Sequence, residues 1–124
     1  MNLNSVMIGT EDPRPLVEYY TKLFGEPAGA DGGYTWWQLG TGGLTVGEHS
    51  EVKGTNEMPG RVIWNIETAD VKGDFERLKA AGATVVLEPY APGEPADASV
   101  DAAEMLVATF EDPDGNYFQL VSPM

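Results

Sequence analysis

The order strand, helix, further strands occurs twice along this chain, and that doubling restricts the fold more than any single motif. Leu3–Ile8 alternates and is rich in β-formers, so it reads as a strand. Asp12 is placed to cap a helix with Pro13 at its first position, and Leu16, Tyr20, Leu23 and Phe24 follow at helical spacing. Gly25 suits the residue after the helix, and Pro27 prevents continuation. Tyr34–Leu39 reads as a second strand, Thr41-Gly42-Gly43 as a tight turn, and Leu44–Glu48 as its hairpin partner. Ser50–Gly60 has the composition of a linker.

The order then restarts. Arg61–Glu67 reads as a strand, and Asp70 can cap a helix carrying Val71, Phe75 and Leu78 on one face and closed by Gly82. Ala83–Leu87 is a further strand. Met105–Phe110 and Tyr117–Val121 form a hairpin around the strong turn signal Asp112-Pro113-Asp114-Gly115. The helix-closing glycines Gly25 and Gly82 lie 57 residues apart, as do Lys22 and Lys79. Glu88–Glu104, with three prolines, five acids and no base, is too long for a mere connector and reads either as a solvated excursion or as a flap over a cavity.

Composition removes whole classes of function. With 124 residues the chain is one domain, with a first module at about 1–55 and a second at about 60–124. A net charge of −13 repels phosphate backbones and anionic lipid surfaces, so neither nucleic acid nor membrane is an expected partner. No apolar run approaches the length of a spanning helix, and the first residues lack the pattern of a secretory signal, so a cytoplasmic location is expected. The absence of cysteine rules out thiol nucleophiles, disulfides and cysteine-based metal sites. A single histidine, His49, leaves no metal site with two imidazoles from one chain.

Two segments carry a family resemblance. Glu11-Asp12-Pro13 with Glu18-Tyr19-Tyr20-Thr21-Lys22-Leu23-Phe24-Gly25 resembles the opening of the vicinal oxygen chelate superfamily, which contains glyoxalase I, bleomycin-resistance proteins and extradiol dioxygenases. Phe110-Glu111-Asp112-Pro113-Asp114-Gly115-Asn116-Tyr117-Phe118-Gln119-Leu120 resembles its closing hairpin, and the doubled order spans nearly the whole chain. The resemblance implies an α+β fold of two βαβββ modules whose mixed sheets curl into a cup. It also implies a homodimer, because the cup usually closes when two chains or domains meet.

Catalytic members hold a divalent metal in that cup. The resemblance carries the four ligand positions onto Ser5, Glu48, Arg61 and Gln119. Only Glu48 is of the usual ligand type. Arg61 is a permanent cation, and Ser5 and Gln119 are weak neutral donors, so no metal cofactor is expected.

Strand alternation puts Ser5 with Met7, Arg61 with Ile63 and Asn65, and Gln119 with Tyr117 on the mixed, ligand-facing walls. Trp36 and Trp37 alternate, so one of the two must face the cup. Glu48 is expected to face the cup and His49 to face away. Arg61, Glu48 and Gln119 form the expected polar cluster, in which Arg61 either pairs with Glu48 or receives an anionic group of a ligand.

The expected function is metal-independent binding of a small molecule in an aromatic-lined cup at a dimer. The alternatives are a glyoxalase-like lyase, isomerase or dioxygenase using Glu48 with a metal or as a catalytic base, and a structural dimer without a ligand.

Overall fold

The computed structural model describes residues 1–93 and 105–123. The first module runs β1 (Ser5–Thr10), α1 (Pro13–Phe24), β2 (Gly29–Asp31), β3 (Tyr34–Leu39) and β4 (Gly42–Glu48). The second runs β5 (Trp64–Glu67), α2 (Val71–Ala80), β6 (Thr84–Tyr90), β7 (Val107–Glu111) and β8 (Tyr117–Val121). Each module makes a four-stranded mixed sheet, in the orders β1-β4-β3-β2 and β5-β8-β7-β6. In each sheet the first strand pairs in parallel with the last and the remaining pairs are antiparallel. This is an α+β fold. Neither helix is long and apolar enough to cross a membrane.

Local chemistry sets the first helix as the sequence requires. The Asp12 carboxylate accepts the Arg14 backbone N–H at 3.1 Å, Pro13 opens the helix, and Gly25 closes it at φ 88°, where a side chain would be strained. Leu16, Tyr20 and Leu23 make its buried stripe. Burial of each such side chain stabilises the fold by roughly 1.5–3 kcal/mol. In α2 the Asp70 carboxylate accepts Gly73 N–H at 2.9 Å, and Val71, Phe75 and Leu78 are buried.

Several boundaries differ from expectation. The second module's first strand begins at Trp64 rather than Arg61, because Pro59–Arg61 forms a 3-10 turn. Val62, which follows this turn, is 71% exposed. The strand β6 continues to Tyr90, into the segment expected as loop, and residues 94–104 of the expected flap lie outside the described residues. The short strand β2 was not foreseen.

One apolar core serves both modules. It joins Ile8, Leu44, Val46 and Trp37 of the first sheet to Ala108, Phe110, Phe118 and Leu120 of the second, with both helices between. Tyr20 of α1 is the hinge pin of this core. Its ring meets Trp37 of the first sheet at 6.1 Å, and Trp64 and Phe118 of the second at 6.1 and 6.0 Å. Since the core-facing sides of both sheets converge here, their other sides point outward from the molecule. The two expected ligand walls therefore do not face each other within one chain.

Candidate functional site

The outward side of the first sheet is set by register. One row across it is Ser5, Gly43 and Gln38; the next is Met7, Thr45, Trp36 and Gly29; the third is Gly9, Gly47, Tyr34 and Asp31. The alternate residues Ile8, Leu44, Val46 and Trp37 are core. This decides between the two tryptophans. Trp37 is 2% exposed and its Nε1 donates to Gly25 O at 3.0 Å, whereas Trp36 is 38% exposed on the outward face. The expectation for Trp37 as a ligand residue is thereby corrected.

Glycines shape this face. The Trp36 ring occupies the space where a Gly29 side chain would stand, leaning toward the β2 edge. The Tyr34 ring does the same over Gly47. Gly43 is covered by no ring; a Cβ there would meet only Ser5 Cβ at 3.4 Å and Trp37 O at 3.6 Å. By register Gly43 and Thr45 are flanked by Ser5 and Met7 on one side and by Gln38 and Trp36 on the other, with Tyr34 in the next row. Met7 is 46% exposed and Tyr34 43%. Such a grouping of large apolar side chains on one ordered face marks a surface that meets a ligand or another chain.

The register also reverses the expectation at the end of β4. Glu48 pairs with Thr10, in the same row parity as Leu44 and Val46, so it follows the core side of the strand and ends it exposed. His49 stands on the outward side, its Cβ at 2.8 Å from where a Gly9 side chain would begin.

On the second sheet, Asn65, Gln119, Thr109 and Leu87 form one outward row, and Gln119 Nε2 donates to Thr109 Oγ1 at 3.1 Å. Tyr117 lies two residues along β8 on the same side, and Ile63 precedes β5, half-buried. Arg61 is exposed in the 3-10 turn, 3.7 Å from the Met58 sulfur, and makes no ion pair with Glu48 among the described residues. The expected cluster of Arg61, Glu48 and Gln119 is not assembled within one chain. Ser5 and Gln119 lie on opposite outward faces.

The second family-like motif proves to be a structural bolt. Asp112 is buried, and its Oδ1 accepts the backbone N–H groups of Asp114 and Asn116 at 2.9 and 3.0 Å. Its Oδ2 accepts the Tyr20 hydroxyl at 2.7 Å. Burial pushes the Asp112 carboxyl above its ordinary value, against the hydrogen bonds that pull it down, and pushes the Tyr20 phenol up as well. Thr10 Oγ1 donates to Asp114 Oδ2 at 2.6 Å, and Asn56 N–H donates to Asp114 O at 2.7 Å. Nearby, Tyr19 donates to Glu111 O at 2.7 Å and accepts Thr84 N–H at 3.1 Å, and burial raises its hydroxyl to about 12.

A separate open groove of about 610 Å³ lies between α1 and the β2–β3 hairpin, with Pro13, Val17, Ala30 and Tyr34 on its walls. None of the expected site residues lines it.

Comparison with known proteins agrees with this architecture. A family profile described as a glyoxalase-like domain matches residues 5–121. The chain belongs to the glyoxalase-like family. A glyoxalase/bleomycin resistance protein from Catenulispora acidiphila shares the fold with a TM-score of 0.72 at 17% identity, over 99% of this chain and 100% of that one. A glyoxalase/bleomycin resistance protein/dioxygenase family enzyme from Burkholderia phytofirmans gives 0.70 at 19% identity, with all of each chain covered. A glyoxalase-related enzyme from Fulvimarina pelagi gives 0.70 at 19% identity, over 98% of this chain and 88% of that one. No curated protein is a significant sequence relative.

The metal of the glyoxalase-like family does not fit these residues. The carried-over positions offer one carboxylate, that of Glu48, with a hydroxyl and an amide that are weak neutral donors, while Arg61 supplies no donor at all. Among the described residues no three His, Asp or Glu side chains gather in metal-binding geometry.

Proposed function

We propose that this glyoxalase-like chain is a metal-independent small-molecule binding protein that works as a homodimer. A planar, largely apolar ligand lies in a trough over Gly43 and Thr45, between Met7 and Trp36. The roof is the outward face of the second sheet of a second copy, bringing Ile63, Asn65, Tyr117 and Gln119 over Ser5, Met7 and Trp36. The observation that carries this reading is the contrast between adjacent tryptophans: Trp37 completes the core, while Trp36 stays 38% exposed on a glycine-floored face. An indole left at such a surface gains its burial from a ligand or partner, and its flat ring suits a planar one.

The reading of Glu48 as a catalytic base draws no support from its place at the strand end, in the core-side row. Arg61 is equally far from the role of anion receptor, since it stands outside the strand that would present it.

Calorimetric titration with a panel of neutral planar aromatics tests the proposal. At least one member is expected to bind, and Trp36→Ala to weaken it by up to about tenfold, the loss of a stacked aromatic contact. A panel without a binder, or equal binding by the variant, would overturn it.

A further inference from the structure

His49 stands on the outward side of the first sheet beside the row of Gly9, Gly47, Tyr34 and Asp31, at one end of the proposed trough. Its Cβ and Cγ lie 2.8 and 3.5 Å from where a Gly9 side chain would begin. Gly9 is in register with Gly47, over which the Tyr34 ring lies, so His49 and Tyr34 cover neighbouring glycines of one row.

The turn after β4 fixes which nitrogen is free. Val52 N–H donates to His49 O at 3.0 Å, folding the chain back, and Glu51 N–H donates to His49 Nδ1 at 3.2 Å. A nitrogen that accepts a backbone N–H carries no proton, so the neutral ring holds its proton on Nε2. Nε2 has no partner among the described residues. The imidazole is thus set as a hydrogen-bond donor and not as a base.

We infer that His49 donates its Nε2–H to an uncharged acceptor, such as a ketone or quinone-like carbonyl oxygen, on the ligand in the trough. This rests on the binding role proposed above and names the ligand's polar group. Two features favour a neutral acceptor over an anion. The chain carries a net charge of −13, and Arg61, the cation expected to offset it, lies outside the strand of its own sheet.

The test uses a matched pair of probes, 1-acetonaphthone and 1-isopropenylnaphthalene, alike in shape and differing in a carbonyl oxygen against a methylene. The wild type is expected to bind the ketone about fivefold more tightly, the worth of one net hydrogen bond. His49→Phe is expected to bind both probes with the same affinity. Nitrogen-15 NMR of the unliganded protein with its histidine neutral should show the proton on Nε2. Equal affinities in the wild type, a preference that survives in His49→Phe, or a proton on Nδ1 would overturn the role of His49. If neither probe binds the wild type while the NMR shows the Nε2 proton, the binding role of the trough itself is wrong.

Discussion

The Tyr20 hydroxyl donates to Asp112 Oδ2 at 2.7 Å, joining residues 92 positions apart and tying α1 to the turn between β7 and β8. Around this bond the two modules share one core, and that arrangement sends both mixed sheet faces outward.

Asp112→Ala should therefore cost about 3 kcal/mol, because it leaves the buried Tyr20 hydroxyl and two turn N–H groups without their acceptor. Urea unfolding measures this. Asp112→Asn keeps an acceptor for the turn and should cost less. The pH dependence has a definite sign. Burial raises the Asp112 carboxyl in the native state, so its contribution is fully present below the ordinary carboxylate value and is lost as pH rises through the raised one. The stability of the wild type relative to Asp112→Asn should fall with rising pH across that window. Asp74, held low chiefly by the Thr68 hydroxyl, acts oppositely and loses its contribution as pH falls.

The two tryptophans should separate in stability measurements. Trp37→Ala empties the core and is expected to cost about 3–5 kcal/mol. Trp36→Ala removes an exposed ring and should cost less than about 1 kcal/mol while impairing binding. Equal losses from both would contradict the assignment of faces.

The absence of native cysteine makes the proposed assembly easy to trap. Ser5→Cys and Gln119→Cys proteins, mixed and treated with a short bismaleimide, should give a covalent heterodimer. The double variant treated at high dilution should give no intrachain link. Intrachain linkage would mean that the outward faces meet within one chain.

Metal content gives a fourth check. Purified protein is expected to hold far less than one equivalent of nickel, zinc, manganese or iron, and a chelator should leave its thermal midpoint unchanged. One equivalent lost on Glu48→Ala would overturn metal independence.

Much of the fold was legible locally. Asp12, Pro13 and Gly25 carry the chemistry that starts and stops α1, and Asp112 through Gly115 carries that of the turn. Alternation in β8 separates Tyr117 and Gln119 from Phe118 and Leu120, and the latter two are core. Glu48 differs from expectation because it shares the parity of Leu44 and Val46, both core residues, which sets it on the core side of β4. Tyr34 and Thr45 were not among the expected ligand residues, although a count from Trp36 and Leu44 reaches both, and His49, expected to face away, stands on the outward side. The tryptophan pair was not legible, since both rings are apolar and only the core's position distinguishes them. Nor could alternation tell that two mixed faces would point apart, because that depends on Tyr20 touching both sheets at once.

Native mass spectrometry of the protein with 1-acetonaphthone tests the central claim most directly. Twofold symmetry repeats the site, so the predicted species is a metal-free dimer carrying two probe molecules, reduced to none by Gly43→Val. That variant fills the floor of the trough, where a Cβ meets nothing closer than 3.4 Å, so folding should survive. A monomer, a metal-bearing dimer, or a Gly43→Val dimer that still takes up two probes would contradict the account.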